Sequence, residues 1–169
     1  LAIVDFAAHE REELRQQHQH ARLGFSDEQM LGLLADAGFA KIGMTVCYDL
    51  RFAKLYRTLA HAGAQILTVP AAFSPVTGAA PWEPILRTRA IETGCFVLAP
   101  AQCGTHAATA GKQRSTHGHS LAVAPWGEVL LDAGTEPGIY MVDLDLSRVD
   151  DARRRVPSLT HDREFTLDA

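Results

Sequence analysis

The sequence predicts an α/β fold, because short apolar runs alternate with segments of helical periodicity over most of its 169 residues. The runs contain β-branched residues and are as short as strands buried in a sheet. The segments between them place apolar residues three and four positions apart. With 47% hydrophobic residues, the chain also has enough apolar surface to bury the core of an ordinary domain.

The elements alternate in order from residue 42 onward. Apolar runs predict strands at 42–46, 65–69 and 96–101. Helical spacing, as in Arg51, Leu55, Leu59 and Ala62, predicts helices at 51–62, 82–93 and 145–154. Alternating patterns predict strands at 119–124, 128–131 and 139–143. Residues 104–116 are rich in Ala, Gly and Thr and are predicted to form a flexible connection.

Residues 1–38 differ in character from the rest. Residues 1–6 are predicted to form a strand and residues 9–20 a charged helix. Ser26 offers an N-cap for a further helix, which Gly38 would end. The chain begins at Leu1 inside the strand-like run, which indicates a fragment of a longer protein.

Cys47 lies where a predicted buried strand passes into a predicted helix. A nucleophile at such a turn is exposed at the rim of the sheet, and the free amides of the helix start face developing negative charge. The same amides favour the thiolate over the thiol. On composition alone the alternative is a buried structural cysteine, because free cysteine is among the most buried residue types.

The residues around Cys47 resemble the nucleophile motif of the carbon–nitrogen hydrolase (nitrilase) superfamily, G-x-I-G-x-x-I-C-Y-D-x-R-F-P-E-L. This chain has Ala40-Lys-Ile-Gly-Met-Thr-Val-Cys47-Tyr-Asp-Leu-Arg-Phe52. Further motifs follow in the family's order, at 63–73, 77–83, 87–92, 118–120 and 125–128. The resemblance covers about residues 40–163 and is closest to small amidases that act on ω-amides and deaminated glutathione. It implies half of a four-layer α-β-β-α sandwich.

The resemblance implies that the Cys47 thiolate attacks a small carboxamide and that ammonia leaves, with the Tyr48 backbone N–H donating to the oxyanion. The family uses a Glu–Lys–Cys triad whose glutamate and lysine precede the matched segment. Lys41 is the one lysine before Cys47, and six residues of strand separate their Cα atoms by roughly 20 Å. We therefore expect impaired activity. The alternative function is a non-catalytic α/β module or fusion fragment that pairs with another chain.

Four residues are candidates for the substrate pocket by resemblance. Phe73, Thr77 and Trp82 would line the cleft, and Glu83 would offer a polar contact. A packing role is an equal alternative for Trp82, and Glu83 at a helix start also suits the helix dipole. Arg51 would either carry a charge near the pocket or form a structural ion pair that locks the turn.

Composition argues against several other classes. A net charge of −4 gives no basic footprint for nucleic acid, and no apolar stretch approaches the roughly 20 residues that cross a bilayer. Three cysteines without a secretory leader indicate reduced thiols and a cytoplasmic location. His117 and His119 would share one side of a strand, but no third ligand lies nearby in the sequence. We expect neither a metal nor a cofactor.

Residues 1–38 do not resemble the hydrolase family. Ile3-Val-Asp-Phe-Ala7, Glu12-Glu-Leu-Arg15 and Leu34-Ala-Asp-Ala-Gly-Phe39 resemble the late part of a class I S-adenosylmethionine methyltransferase. We therefore expect a chimera, with a methyltransferase-like fragment at 1–38 and a hydrolase-like domain at 41–169 that lacks its N-terminal half. Half a sandwich leaves strand edges and an apolar sheet face open. The expected partners are a small-molecule amide substrate and either a second copy or a chain that supplies the missing half.

Overall fold

A computed structural model describes residues 38–107, 111 and 113–163 of the chain. The strand and helices that the sequence predicts within residues 1–37 lie outside the described residues. The chain divides into two units, residues 1–40 and residues 41–169, and all the elements below belong to the second unit.

A mixed sheet forms the centre of the second unit. Its strands are β1 (Ile42–Met44), β2 (Ile66–Thr68), β3 (Phe96–Ala99), β6 (Leu121–Val123) and β7 (Val129–Asp132). Their order across the sheet is β1-β2-β3-β6-β7. The first three are parallel, whereas β6 runs antiparallel to β3 and β7 antiparallel to β6. A separate antiparallel pair consists of β4 (Cys103–His106) and β5 (Arg114–His117). The predicted α/β class is confirmed.

Helices connect the parallel strands and follow the last strand. They are α1 (Ala53–His61), α2 (Pro75–Ala79), α3 (Trp82–Thr93) and α4 (Ser147–Arg155), with 3₁₀ turns at Cys47–Arg51 and Ser158–His161. The Ser74 side chain caps α2 by accepting from the Thr77 N–H, and Pro75 suits the first turn. Helix α3 ends at Gly94, whose φ of 61° is a left-handed conformation that favours glycine. Within the described residues, no helix is long and apolar enough to span a bilayer.

The core lies between the sheet and helices α1 and α3. Leu67 and Val97, which point to the same face of neighbouring strands, are fully buried there. Tyr56 on α1 and Leu86 on α3 cover them and are also inaccessible to solvent. Burial of one such aliphatic side chain contributes about 1.5–3 kcal/mol relative to leaving it exposed. This packing fixes the carboxyl ends of β1, β2 and β3, where the candidate site lies.

Several predicted element bounds need correction. The helix predicted at 51–62 begins at Ala53, because Phe52 adopts a non-helical φ of −101° and ψ of 86° after the 3₁₀ turn. Residues 104–116, predicted as a flexible connection, contain most of the β4–β5 pair. Cross-strand hydrogen bonds join Thr105 to Ser115 at 3.0 Å and His106 to Thr116 at 2.8 Å. Small hydroxylated residues thus pair across this ribbon.

One predicted strand is not formed in the structure, and one helix of the structure was not predicted. Residues 139–143, predicted as a strand, form no regular element, and Ile139 and Met141 are 94% and 89% exposed. No neighbouring strand lies beside them in the described part of the chain to pair with their backbone. Helix α2 was not predicted, because its five residues are too short for a periodic signal.

Gly43 allows α1 to pack closely on β1. A Cβ at this position would lie 2.8 Å from Leu67 Cδ2 and 3.2 Å from Leu59 Cβ. We expect Gly43→Ala to lower the free energy of unfolding by about 1–3 kcal/mol through overpacking, measured by urea unfolding. Combination with Leu67→Ala should relieve part of this loss. Strict additivity of the two substitutions would contradict the steric explanation.

Candidate active site

Cys47 occupies a sharp turn between β1 and α1. Its φ is +47°, in the left-handed region that a non-glycine residue adopts only at a cost of about 1–3 kcal/mol. Its N–H donates to the Pro70 carbonyl over 2.9 Å, which joins the turn to the end of β2. The side chain is half-buried and packs against the core. The predicted strand-to-turn placement of this thiol is therefore what the structure shows.

The residues before Cys47 are held by the sheet and by α1. Both the N–H and the hydroxyl of Thr45 donate to the Thr68 carbonyl, over 3.0 Å and 2.9 Å. The same hydroxyl lies 2.6 Å from the hydroxyl of Tyr56, which is fully buried. Burial raises the pKa of Tyr56, so the phenol stays protonated. The backbone leading into the turn is thus fixed by a buried hydrogen-bond chain.

The turn itself is closed by a carboxylate and a guanidinium. The Val46 N–H donates to Asp49 Oδ2 over 3.0 Å. On the other side, Nε and Nη2 of Arg89 both donate to the Leu50 carbonyl, over 3.0 Å and 2.9 Å. Arg89 is only 6% exposed, which is rare for this residue type and indicates a specific structural demand.

In the part of the chain that the structure describes, Arg51 forms no ion pair, which was one of its two sequence-based roles. Its guanidinium lies 5.7 Å from the ring centroid of Tyr48 and 5.9 Å from that of Phe73, and within the described residues it meets no carboxylate. The lock on the turn comes from Arg89 instead. The sequence held a signal for the burial of Arg89, because Leu86, Arg89 and Ala90 share the helix stripe that faces the core, but none for its contact with Leu50.

A cavity of about 650 Å³ opens beside Cys47. Its described lining comes from the carboxyl ends of the parallel strands and from the segment after β7. The lining residues are Val46, Cys47, Pro70, Ala71, Ala72, Pro100, Ala101, Gln102, Cys103, Ser120, Glu136, Pro137, Gly138 and Tyr140. Tyr48 is the second residue of the 3₁₀ turn, and the first N–H groups of a helical turn have no acceptor within it. This geometry can place a carbonyl between the thiol and a backbone donor.

The sequence analysis missed one charged group in this cavity. Glu136 belongs to the lining, together with the neighbouring Pro137 and Gly138. It follows β7 in a Gly- and Pro-containing loop, and no periodic pattern placed it near a strand end. A carboxylate thus joins a lining that otherwise consists mainly of apolar residues.

The four predicted pocket residues lie outside this lining. Trp82 is 2% exposed, and its Nε1–H donates to the His119 carbonyl over 2.7 Å. Its ring packs edge-on against Phe73 at a centroid distance of 5.3 Å. Thr77 is exposed and bonds to the Ser74 cap, while exposed Glu83 pairs with Arg87 at 3.3 Å. Trp82 thus has the packing role given as its alternative, and substrate contacts of the other three stay predictions.

Lysine is absent from the described lining of the cavity. Lys41 Nζ donates to the Ala62 carbonyl over 2.7 Å, at the far end of β1 from Cys47. Lys54 is exposed on the first turn of α1. Among the described residues, no lysine therefore lies beside the Cys47 thiol in the position of the family's triad lysine.

His117 and His119 form a stacked pair with a ring-centroid distance of 4.8 Å. His119 Nδ1 lies 3.0 Å from Asp132 Oδ1. Burial and the neighbouring His119 lower the pKa of His117. Although burial acts to raise it, hydrogen bonds from Gly134 N–H and His119 hold the pKa of Asp132 below its usual value. No group of three His, Cys, Asp or Glu side chains in the described part of the chain is placed to hold a metal ion.

We expect Cys47 to be the most reactive of the three thiols toward iodoacetamide. Cys95 is fully buried, and burial raises the pKa of its thiol, which disfavours the reactive thiolate. Cys103 is half-buried on β4 and does not lie at the start of a helical turn, as Cys47 does. Limited alkylation followed by peptide mass mapping would measure the order. Preferential labelling of Cys103 would show that the turn does not activate the Cys47 thiol.

Comparison with known proteins identifies a family. The model of the carbon–nitrogen hydrolase family matches residues 9–154. Deaminated glutathione amidase of Synechocystis sp. is 45% identical over 123 residues, 73% of this chain and 44% of its own length. The human protein of that name is 48% identical over 73% of this chain and 36% of its own length. The Yersinia enterocolitica protein of that name is 42% identical over 85% of this chain and 50% of its own.

Solved structures show the same relationship. The NitFhit protein of Caenorhabditis elegans superposes with a TM-score of 0.64 and 41% identity, over 72% of this chain and 29% of that one. An amidase from Nesterenkonia sp. AN1, described with acrylamide added at its active-site cysteine, gives a TM-score of 0.56 and 31% identity over 71% of this chain and 45% of its own. The chain therefore spans half or less of these proteins.

The methyltransferase resemblance of residues 1–38 gains no support from these comparisons. The family match begins at residue 9. The Yersinia alignment covers 85% of the chain, so it must include part of residues 1–38. Most of the first 38 residues thus fall within the hydrolase match. With the family match extending over 9–154, the chain belongs to the carbon–nitrogen hydrolase family.

Proposed function

We propose that this chain carries the nucleophile of a thiol-dependent amidase, with Cys47 as the reacting residue. The observation that carries the proposal is the left-handed backbone of Cys47 at the start of a 3₁₀ turn beside a cavity. Strained non-glycine residues of this kind cluster at active sites, where the strain can be part of the mechanism. The relatives named deaminated glutathione amidase support a linear ω-amide as the substrate class.

The proposed reaction proceeds by acyl transfer to sulfur. The Cys47 thiolate attacks the amide carbon, and the carbonyl electrons move to oxygen, where the Tyr48 N–H donates a hydrogen bond. Collapse of this intermediate breaks the carbon–nitrogen bond, and the amine takes up a proton and leaves as ammonia. Water then attacks the thioester, which releases the carboxylate and restores the thiol.

The general base and the lysine of the family's triad are proposed to come from outside the described cavity lining. Glu136 is the acidic residue in that lining, and no lysine accompanies it among the described residues. Since the chain spans 36–50% of the curated relatives, a partner segment is a reasonable source. We propose a second chain, or a second copy, in this role, within the cytoplasm, where its free thiols persist.

A second candidate function is a non-catalytic α/β module that pairs with another chain. The observation that favours it is the apolar outer side of edge strand β1, where Ile42 and Met44 are 54% and 81% exposed. Among the described strands β1 lies at the edge of the sheet, and an edge strand with exposed apolar side chains is a template for pairing with another polypeptide. Both candidate functions require a partner chain, but only the first involves amide hydrolysis.

Ammonia release from a monoamide of a small dicarboxylic acid separates the two candidates. The chain would be assayed alone and together with the part of the Synechocystis relative that it does not match. We expect turnover near background for the chain alone, because the general base and the oxyanion lysine are missing. Turnover in the mixture that depends on Cys47 supports the amidase. A stable complex without turnover supports the module.

A further inference from the structure

We propose that Arg89 is a positioning residue, which holds Cys47 in its reactive conformation through the Leu50 carbonyl. This inference rests on the proposed role of Cys47 as the nucleophile. Arg89 lies 42 positions after Cys47 in the sequence and does not line the cavity beside the thiol. It would therefore act on the reaction through the backbone of the turn rather than by contact with substrate.

The contacts of Arg89 converge on the turn. Two of its nitrogens donate to one carbonyl, that of Leu50, in the last part of the 3₁₀ turn that begins at Cys47. A charged donor strengthens such hydrogen bonds, and low local dielectric strengthens them further. The Leu50 side chain is itself 1% exposed, so this end of the turn is fixed in both its backbone and its side chain.

Arg89 is in turn held rigidly by its own neighbours. Its Nη1 donates to Glu92 Oε1 over 2.8 Å on the same helix. Its guanidinium lies 5.3 Å from the ring centroid of Tyr56, the residue whose hydroxyl meets Thr45 before the turn. The buried Arg89 and Tyr56, together with the partly exposed Glu92, therefore form one cluster that contacts the chain on both sides of Cys47.

This cluster accounts for the persistence of the strained backbone. A left-handed cysteine relaxes toward an ordinary conformation unless the surrounding structure over-determines it. The bonds from Thr45 to Thr68 and from Cys47 to Pro70 fix the turn at its start, and Arg89 fixes its end. Without Arg89 the end of the turn loses this support, and the thiol would no longer be held in its position beside the cavity.

The test compares alkylation of Cys47 in the whole chain and in single variants. We expect Arg89→Met to slow iodoacetamide labelling of Cys47 about tenfold, because the strained conformation in which the thiol reacts would be less populated. Labelling of Cys103 in the same sample should stay within about twofold. Buried Cys95 reports unfolding, because it becomes labelled only when the core opens.

Conservative and matched variants separate positioning from general stability. Arg89→Lys keeps a charged donor for the Leu50 carbonyl and should restore most of the Cys47 rate. Arg87→Met is the control, because Arg87 on the same helix also donates to a backbone carbonyl, that of Gly127, and pairs with an acid, Glu83. It should leave the Cys47 rate unchanged.

An Arg89→Met chain that keeps Cys95 protected and labels Cys47 at the original rate or faster would overturn the proposal. An equal loss in Arg87→Met would do the same. If Arg89→Met exposes Cys95 to labelling, the comparison is repeated with Arg89→Gln, and the same two results would overturn the proposal. Alkylation requires no amide turnover, so failure of the amidase proposal would show in the ammonia assay and leave this measurement intact.

Discussion

Cys47→Ala is expected to abolish amide hydrolysis by the complemented chain, with a fall in kcat of at least about a thousandfold. Alanine removes the sulfur that forms the thioester and supplies no other nucleophile in its place. The left-handed backbone at this residue costs alanine about as much as cysteine, so the fold should change little. Ammonia release at saturating monoamide, with the matched mixture of chains, is the measurement.

Cys95→Ala is the matched control for this loss. Cys95 is buried at the start of β3, where its thiol donates to the Ala64 carbonyl over 3.2 Å. Its replacement should lower stability by about 1–2 kcal/mol and leave kcat near the original value. Turnover that survives in Cys47→Ala but not in Cys95→Ala would reassign the nucleophile.

The sequence predicted best those elements whose stability is local. Helix α3 occupies the predicted bounds, since Pro and Trp mark its start and Gly94 its end. The parallel strands were found from their apolar runs, and their ends were overestimated by one or two residues. The prediction that the first of them is buried was wrong, because Ile42 and Met44 of β1 are exposed. Cys47 was placed correctly because a strand end followed by helical spacing is itself a local pattern.

What the sequence did not predict depends on contacts between distant residues. The 3₁₀ turn at Cys47 is stabilised by the Pro70 carbonyl and by Arg89, which no local pattern connects to it. The β4–β5 pair consists of small hydroxylated residues, whose composition alone is typical of a loop. Glu136 joins the cavity only because the chain folds back after β7. Each of these needed the tertiary structure.

Trp82→Ala is expected to produce the largest loss of stability among single core substitutions, about 3–5 kcal/mol in the free energy of unfolding. The indole is 2% exposed, contacts Phe73 and donates to the His119 carbonyl over 2.7 Å. The accepting carbonyl belongs to His119, whose positive φ of 57° costs about 1–3 kcal/mol, so any relaxation of this strain would offset only part of the loss. Trp82→Phe retains most of the packing and should cost about 1–2 kcal/mol through the lost hydrogen bond.

Trp126→Ala provides the comparison, because it removes the other tryptophan from a position that is 49% exposed. The guanidinium of Arg155 lies 5.9 Å from its ring centroid. Because the ring is half exposed, its removal should cost about 1 kcal/mol or less. Urea unfolding followed by far-ultraviolet circular dichroism measures all three variants without relying on tryptophan fluorescence. A substrate-binding tryptophan would show the reverse pattern, with little effect on unfolding and a raised KM in the complemented enzyme. Similar small losses in the free energy of unfolding for Trp82→Ala and Trp126→Ala would therefore contradict the packing role of Trp82 and favour a substrate-binding role.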